Sequence, residues 1–183
     1  MTAAAARANI LLLQQADELL IALGSERYAS RVPACFNASP GGHLRHITDH
    51  YLGLLDGLTC GAVDYEHRAR DLRVEREVGH AQTLVRSLIA RLEEIEQADR
   101  DIALRVRAEA TDEEGDREPG PLAWSDSSLL RELEFMLSHT VHHYALVAVM
   151  CRLLGHEPAA EFGMAPSTIR FLRRQTQSAA SAA

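Results

Sequence analysis

Apolar residues recur at helical spacing along most of the chain. Ile10, Leu13, Leu20 and their neighbours give a broad apolar face over residues 4–23, and Gly24 marks a stop. After a loop holding Pro33 and Asn37, Ser39 stands as a helix N-cap with Pro40 at the first helical position, where a missing N–H does no harm. That second helix runs through His43, Leu44, His46, Ile47, His50, Leu54 and Leu55 to about Leu58, with Gly61 beyond it. Residues 61–73, including Asp64-Tyr65-Glu66-His67-Arg68, read as a polar crossing loop. A third helix spans residues 74–97, where Val78, Leu84, Val85, Leu88, Ile89, Leu92 and Ile95 form one stripe opposite a charged face.

The period then changes. Ile102, Leu104, Val106 and Ala108 alternate with Ala103, Arg105 and Arg107, which is a strand pattern. The acidic stretch Asp112-Glu113-Glu114-Gly115-Asp116 and then Pro119-Gly120-Pro121 form a turn, and Leu122-Ala123-Trp124 is expected to pair back as a short strand. A fourth helix covers residues 127–154, capped by Ser125 or Ser127, ended by Gly155 and followed by Pro158. A last short helix lies near Pro166–Gln175, and the Ala/Ser stretch 176–183 reads as a disordered tail. The fold expected is all-α: an up-down-type four-helix bundle in one domain, residues 1–175, with a small β-hairpin inserted before the last long helix and a short C-terminal helix.

Composition adds limits to this picture. The 183 residues suit one domain able to bury a core without disulfides. The net charge of -7, from 26 acidic and 19 basic side chains, argues against a phosphate-backbone binder. Cys35, Cys60 and Cys151 are odd in number and far apart, without a CxxC, so a reducing, cytoplasmic setting fits better than a disulfide framework. At the N-terminus, Gln14, Gln15, Asp17 and Glu18 interrupt the apolar run and no basic segment precedes it. Neither a signal peptide nor a membrane span is read there.

The candidate chemistry is histidine. Six of the nine histidines fall in two windows, His43/His46/His50 and His139/His142/His143. His139 and His143 stand about 40° apart on the helical wheel and roughly 6 Å apart along the axis, so both imidazoles can reach one ion. The residues between them are Thr140, Val141 and His142, which lack the glutamate of an HExxH protease. His43, His46 and His50 form one stripe, but His43 and His50 are separated by roughly 10 Å of rise, too far to share an ion. His46 is the central member, able to join the HxxxH pair across a bundle. Three protein ligands with an open position are the catalytic pattern for zinc. Three imidazoles suit zinc or nickel first, and also iron or copper. The bland alternative is a set of hydrogen-bonded core histidines. His142 points off the shared face, and His67, His80 and His156 are expected to be exposed. A diiron bundle would need carboxylates at metal spacing; Glu134, five residues before His139, is off the face.

With Ser39 opening the second helix, His46-Ile47 in its middle and His139/His143 on the last long helix, the chain resembles the DinB-like superfamily from its first helix to about Arg174. The stretch Phe162-Gly163-Met164-Ala165-Pro166-Ser167-Thr168 is similar to the ending of one bacterial subgroup. So are Asp64-Tyr65-x-x-Arg68 and Arg131-Glu132-Leu133-x-Phe135. The resemblance implies a metal held by His46, His139 and His143. Family members include S-transferases and isomerases that use low-molecular-weight thiols, and others without an assigned reaction; the family name does not imply DNA binding. Two departures stand out: His143-Tyr144-Ala145-Leu146 replaces the common His-Arg-x-Gln, and His43 and His50 are extra.

Two functional classes follow. One is a metal-dependent transferase or hydrolase acting on a small molecule, with a thiol or an activated water as nucleophile. In it, His50 or His43 serves as general base or orients a ligand, and Arg68 and Tyr65 bind an anionic substrate. Asp49 and Glu134 are candidates to orient the histidines. The plainer reading makes Arg68 a surface ion pair and Tyr65 a packed aromatic. The other class is a non-catalytic metal- or ligand-binding stress-response module. The partners expected are the substrate, a low-molecular-weight thiol, and a second copy through the apolar faces of the first or third helix. Nucleic acid and membrane are not expected.

Overall fold

The helical spacing is realised in four long helices: α1 (Thr2–Ala29), α2 (Pro40–Gly57), α4 (Val78–Ala98) and α5 (Leu129–Leu153). A short α3 (Leu72–Arg76) precedes α4, and α6 (Pro166–Ser181) closes the chain, running past Gln175 into the stretch expected as a tail. The structure, a computed structural model, describes residues 1–107 and 124–181. Among the described residues, α1 borders α4 and α5, and α2 borders both as well. Their facing stripes form the core: Ile10, Leu13 and Leu20 of α1, Ile47 and Leu54 of α2, Val85, Leu88 and Leu92 of α4, and Leu133, Met136 and Tyr144 of α5 are all buried. Among the described residues, no helix is long and apolar enough to cross a membrane.

Gly24 does break helical geometry, with φ 73 and ψ 164, but the helix resumes beyond it. Tyr28 explains the resumption: its ring is buried and its hydroxyl donates to the Val74 carbonyl, so the last turn is held from outside. The start of α2 follows expectation, with Ser39 Oγ accepting from the Gly42 amide at 3.0 Å and Pro40 behind the cap. The single third helix expected at 74–97 is in fact two. Glu77 takes extended geometry, φ -116 and ψ 101, and separates α3, capped by Asp71, from α4.

The crossing stretch is not wholly loop. Ala62–Asp64 forms β1, parallel to β2 (Ala103–Arg107), and β2 pairs antiparallel with β3 (Ser125–Ser128). The expected partner strand at 122–124 falls mostly outside the described residues. Leu122 and Ala123, like the acidic Pro/Gly turn, lie outside the described residues, and Trp124 precedes the strand. The pairing falls on the serine run, with Leu104 opposite Ser127. Ser128, rather than Ser125 or Ser127, then caps α5, accepting from the Arg131 amide.

One buried polar knot ties three helices together. Asn9 of α1 donates to the carbonyls of Ala5 and Leu133, at 2.8 and 2.9 Å. Tyr51 of α2 donates to Asn9 Oδ1 at 2.6 Å, and Thr140 of α5 donates to the Tyr51 hydroxyl at 3.3 Å. Asn9 and Thr140 are wholly buried, so each bond replaces one that water would otherwise make.

Candidate metal centre

The knot holds α2 against α5 beside the histidines, since Tyr51 follows His50 and Thr140 follows His139. The rings of His46, His139 and His143 meet with centroids 4.5–5.0 Å apart. One nitrogen from each lies within 4.8 Å of the others, so the three could hold a metal ion. No carboxylate joins this group among the described residues, which leaves a diiron site without support. A specific observation shows that the rings fit an ion: His139 Nε2 is buried without a hydrogen-bond partner. A buried polar atom left unpaired costs roughly 1–3 kcal/mol, and metal coordination would relieve that cost.

His50 brings a fourth ring, 4.4 Å from both His46 and His139. Its Nδ1–H donates to the His46 carbonyl at 2.8 Å, leaving the lone pair on Nε2. Arg68 can only donate, so its NH1 group, 3.2 Å from His46 Nδ1 and 3.5 Å from His50 Nε2, faces two lone pairs. Two ring nitrogens of the cluster thus face one guanidinium. His43 enters through His143, their Nδ1 atoms 2.8 Å apart with one hydrogen between them.

Burial is the first cause that lowers the pKa of His46, His139, His143 and His43. His46 falls to about 2, with His50, His143, His139 and Arg68 adding repulsion. His139 falls to about 3 and His143 to about 4, helped by neighbouring histidines, and His43 is lowered too. The rings are thus neutral, the form a metal requires. Because these values lie below the ordinary 6.5, the unfolded chain binds more protons as pH drops beneath that value, and stability falls with it. The metal-free protein is expected to melt at lower temperature at pH 5 than at pH 7. The His46→Gln/His139→Gln double variant should show a smaller drop. An equal drop would mean that these rings are not the protonating groups.

The remaining candidates are placed as follows. Tyr65 is buried, stacks on His50 at 5.4 Å and donates its hydroxyl to Glu132 Oε2 at 2.9 Å, so it forms a wall and its hydroxyl is engaged. Asp49 pairs with Arg45 at 3.3 Å, and Glu134 is exposed. His142 and His67 are exposed as expected. His80 and His156 are half-buried instead, His80 against Asp71 at 3.1 Å. Glu132 was not singled out, although it is 2 % exposed and also takes the Ser127 hydroxyl at 2.6 Å. Its signal was available: it shares the helical face of Leu129, Leu133 and Met136.

The DinB family model matches residues 13–164. Over 49 residues the chain is 41% identical to FK506-binding protein 5 of Rhizopus delemar, a stretch covering 27% of this chain and 13% of that one. The chain thus spans a small fraction of the length of the curated relative it matches. No solved structure matches.

Proposed function

The chain belongs to the DinB family, and from that premise we propose that it holds one divalent transition ion, zinc or nickel before iron or copper, on His46, His139 and His143. The unpaired, buried Nε2 of His139 inside a three-ring cluster is the observation that carries this reading. We further propose that the site serves a metal-dependent transferase or hydrolase acting on a small molecule, with a low-molecular-weight thiol or water as nucleophile. When bound, such an ion supplies a Lewis acid and eases deprotonation of that nucleophile.

The chain's own groups divide the remaining work. His50 accepts a proton at Nε2, held in that tautomer by its Nδ1–H bond to the His46 carbonyl. Arg68, which donates toward the same nitrogen, would release that lone pair for the proton by turning onto an anionic substrate. Tyr65 and Phe135, packed at a tilt with ring centroids 5.6 Å apart, exclude water from one side. A cytoplasmic setting is consistent with the free thiols of Cys35, Cys60 and Cys151.

Elemental analysis of protein purified without a nickel column tests the first claim. About one equivalent of ion per chain is expected, lost in His143→Ala. A metal-free wild-type protein that also fails to take up added zinc or nickel overturns it. For the second claim, His50→Ala should keep the ion and lose turnover, whereas full turnover in that variant would remove His50 from the chemistry.

A further inference from the structure

Beside the histidine cluster lies an open cavity of ≈ 500 Å³ whose lining includes His43, His46 and His143 together with Arg31, Phe36 and Asn37. Its outer lip is the loop Val32–Ala38, a tight and well-bonded structure. Val32 N–H donates to the Ala38 carbonyl at 2.8 Å, Cys35 N–H to Val32 at 2.9 Å, and Ala38 N–H to Cys35 at 3.0 Å. Within it, Phe36 and Asn37 both adopt the left-handed conformation, φ 55 and φ 56. Asparagine tolerates that geometry, whereas phenylalanine is strained there. The ring gains nothing in return from the protein, because Phe36 is 100% exposed. An aromatic side chain held at a backbone cost, facing water at the rim of a cavity, is what a ligand would cover.

The charge around the cavity narrows the class of that ligand. Arg45 is already engaged by Glu75 at 3.1 Å and Asp49 at 3.3 Å. Arg31, also in the lining, has no carboxylate partner among the described residues. Its NH1 donates only to the Asn37 carbonyl at 3.3 Å, which fixes it to the lip beside Phe36. The cavity therefore presents one uncompensated guanidinium, in a chain of net charge -7. A single guanidinium matches a carboxylate monoanion in charge and in its two-pronged geometry, better than it matches a phosphate dianion.

We propose that this lip binds a small carboxylate carrying a flat apolar group, the carboxylate on Arg31 and the apolar face on Phe36, with the rest of the molecule reaching the histidines. The inference names a substrate class for the metal site and so rests on the reading given above.

Calorimetry with 3-phenylpropionate and its neutral amide, on zinc-treated full-length protein, tests it. The acid should bind about tenfold more tightly than the amide. Arg31→Gln should abolish that difference, and Phe36→Asn should weaken the acid by about fivefold while leaving the melting temperature unchanged or raised. Both variants should take up zinc as the wild type does. No binding of the acid up to ~10 mM, or an acid preference that survives Arg31→Gln, overturns the proposal while leaving the metal site standing. A protein that takes up no zinc yet binds the acid through Arg31 and Phe36 overturns the metal reading and keeps this one.

Discussion

Replacing His139 with leucine is expected to raise the melting temperature of the metal-free protein by about 2–6 °C, while weakening zinc or nickel binding by on the order of a thousandfold. The two effects share one cause. In the absence of an ion, Nε2 of this ring is buried and makes no hydrogen bond, so an apolar replacement removes a roughly 1–2 kcal/mol penalty. On the metal reading proposed above, the same atom would be a direct ligand once an ion is present. Loss of an outer partner costs about 10–100-fold in affinity, and loss of one of three direct ligands costs more. Thermal melts with and without chelator, beside a metal titration, read both quantities. A variant that is destabilised when metal-free, with unchanged metal affinity, would return His139 to an ordinary packed side chain.

Gly41→Ala should be among the most damaging small substitutions in the chain. A Cβ at this position would lie 2.1 Å from the Glu75 carbonyl oxygen, 2.9 Å from its carbon and 3.0 Å from Tyr28 Cε1. Two of those atoms are backbone, so neither can swing aside, and the docking of α3 on the start of α2 must open. The expected cost is about 3 kcal/mol, or roughly 6–12 °C in melting temperature for a domain of this size. Because His43 and His46 sit in the following turns of α2, metal affinity should fall as well. Gly79→Ala is the control: nothing lies within 4 Å of its added Cβ, and a helical alanine there should stabilise by about 0.5–1 kcal/mol. Equal melting temperatures for the two variants would contradict the packing described.

The long helices and the His139/His143 pair were legible because each depends on spacing inside one element. His139 and His143 share a face by helical geometry alone, and Ser39-Pro40 announces its helix without help from the rest of the fold. What escaped depends on contacts between elements. The break at Glu77 interrupts a stripe whose apolar residues, Val74 and Val78, keep their period across it. The break follows from Tyr28 and Gly41 gripping α3 from outside. Strand β1 has three residues, too few to show a period, and exists because Val63 finds Val106. Strand β3 is serine and aspartate, with no strand preference of its own, and forms only because β2 lies beside it. In the site, the engagement of the Tyr65 hydroxyl by Glu132 joins the crossing segment to α5, a pairing that neither stretch announces by itself.

The hydroxyl contacts among Asn9, Tyr51 and Thr140 bear on how the proposed site would release an ion. They fix the separation of the two histidine-bearing rods one residue along from the ligands, and they do so with bonds that contain no metal. On the metal reading the cavity would be shaped before loading, and an ion arriving or leaving would find the scaffold already standing. Such a centre would work as a socket rather than as a staple, unlike a zinc finger, whose chain collapses when its metal is stripped.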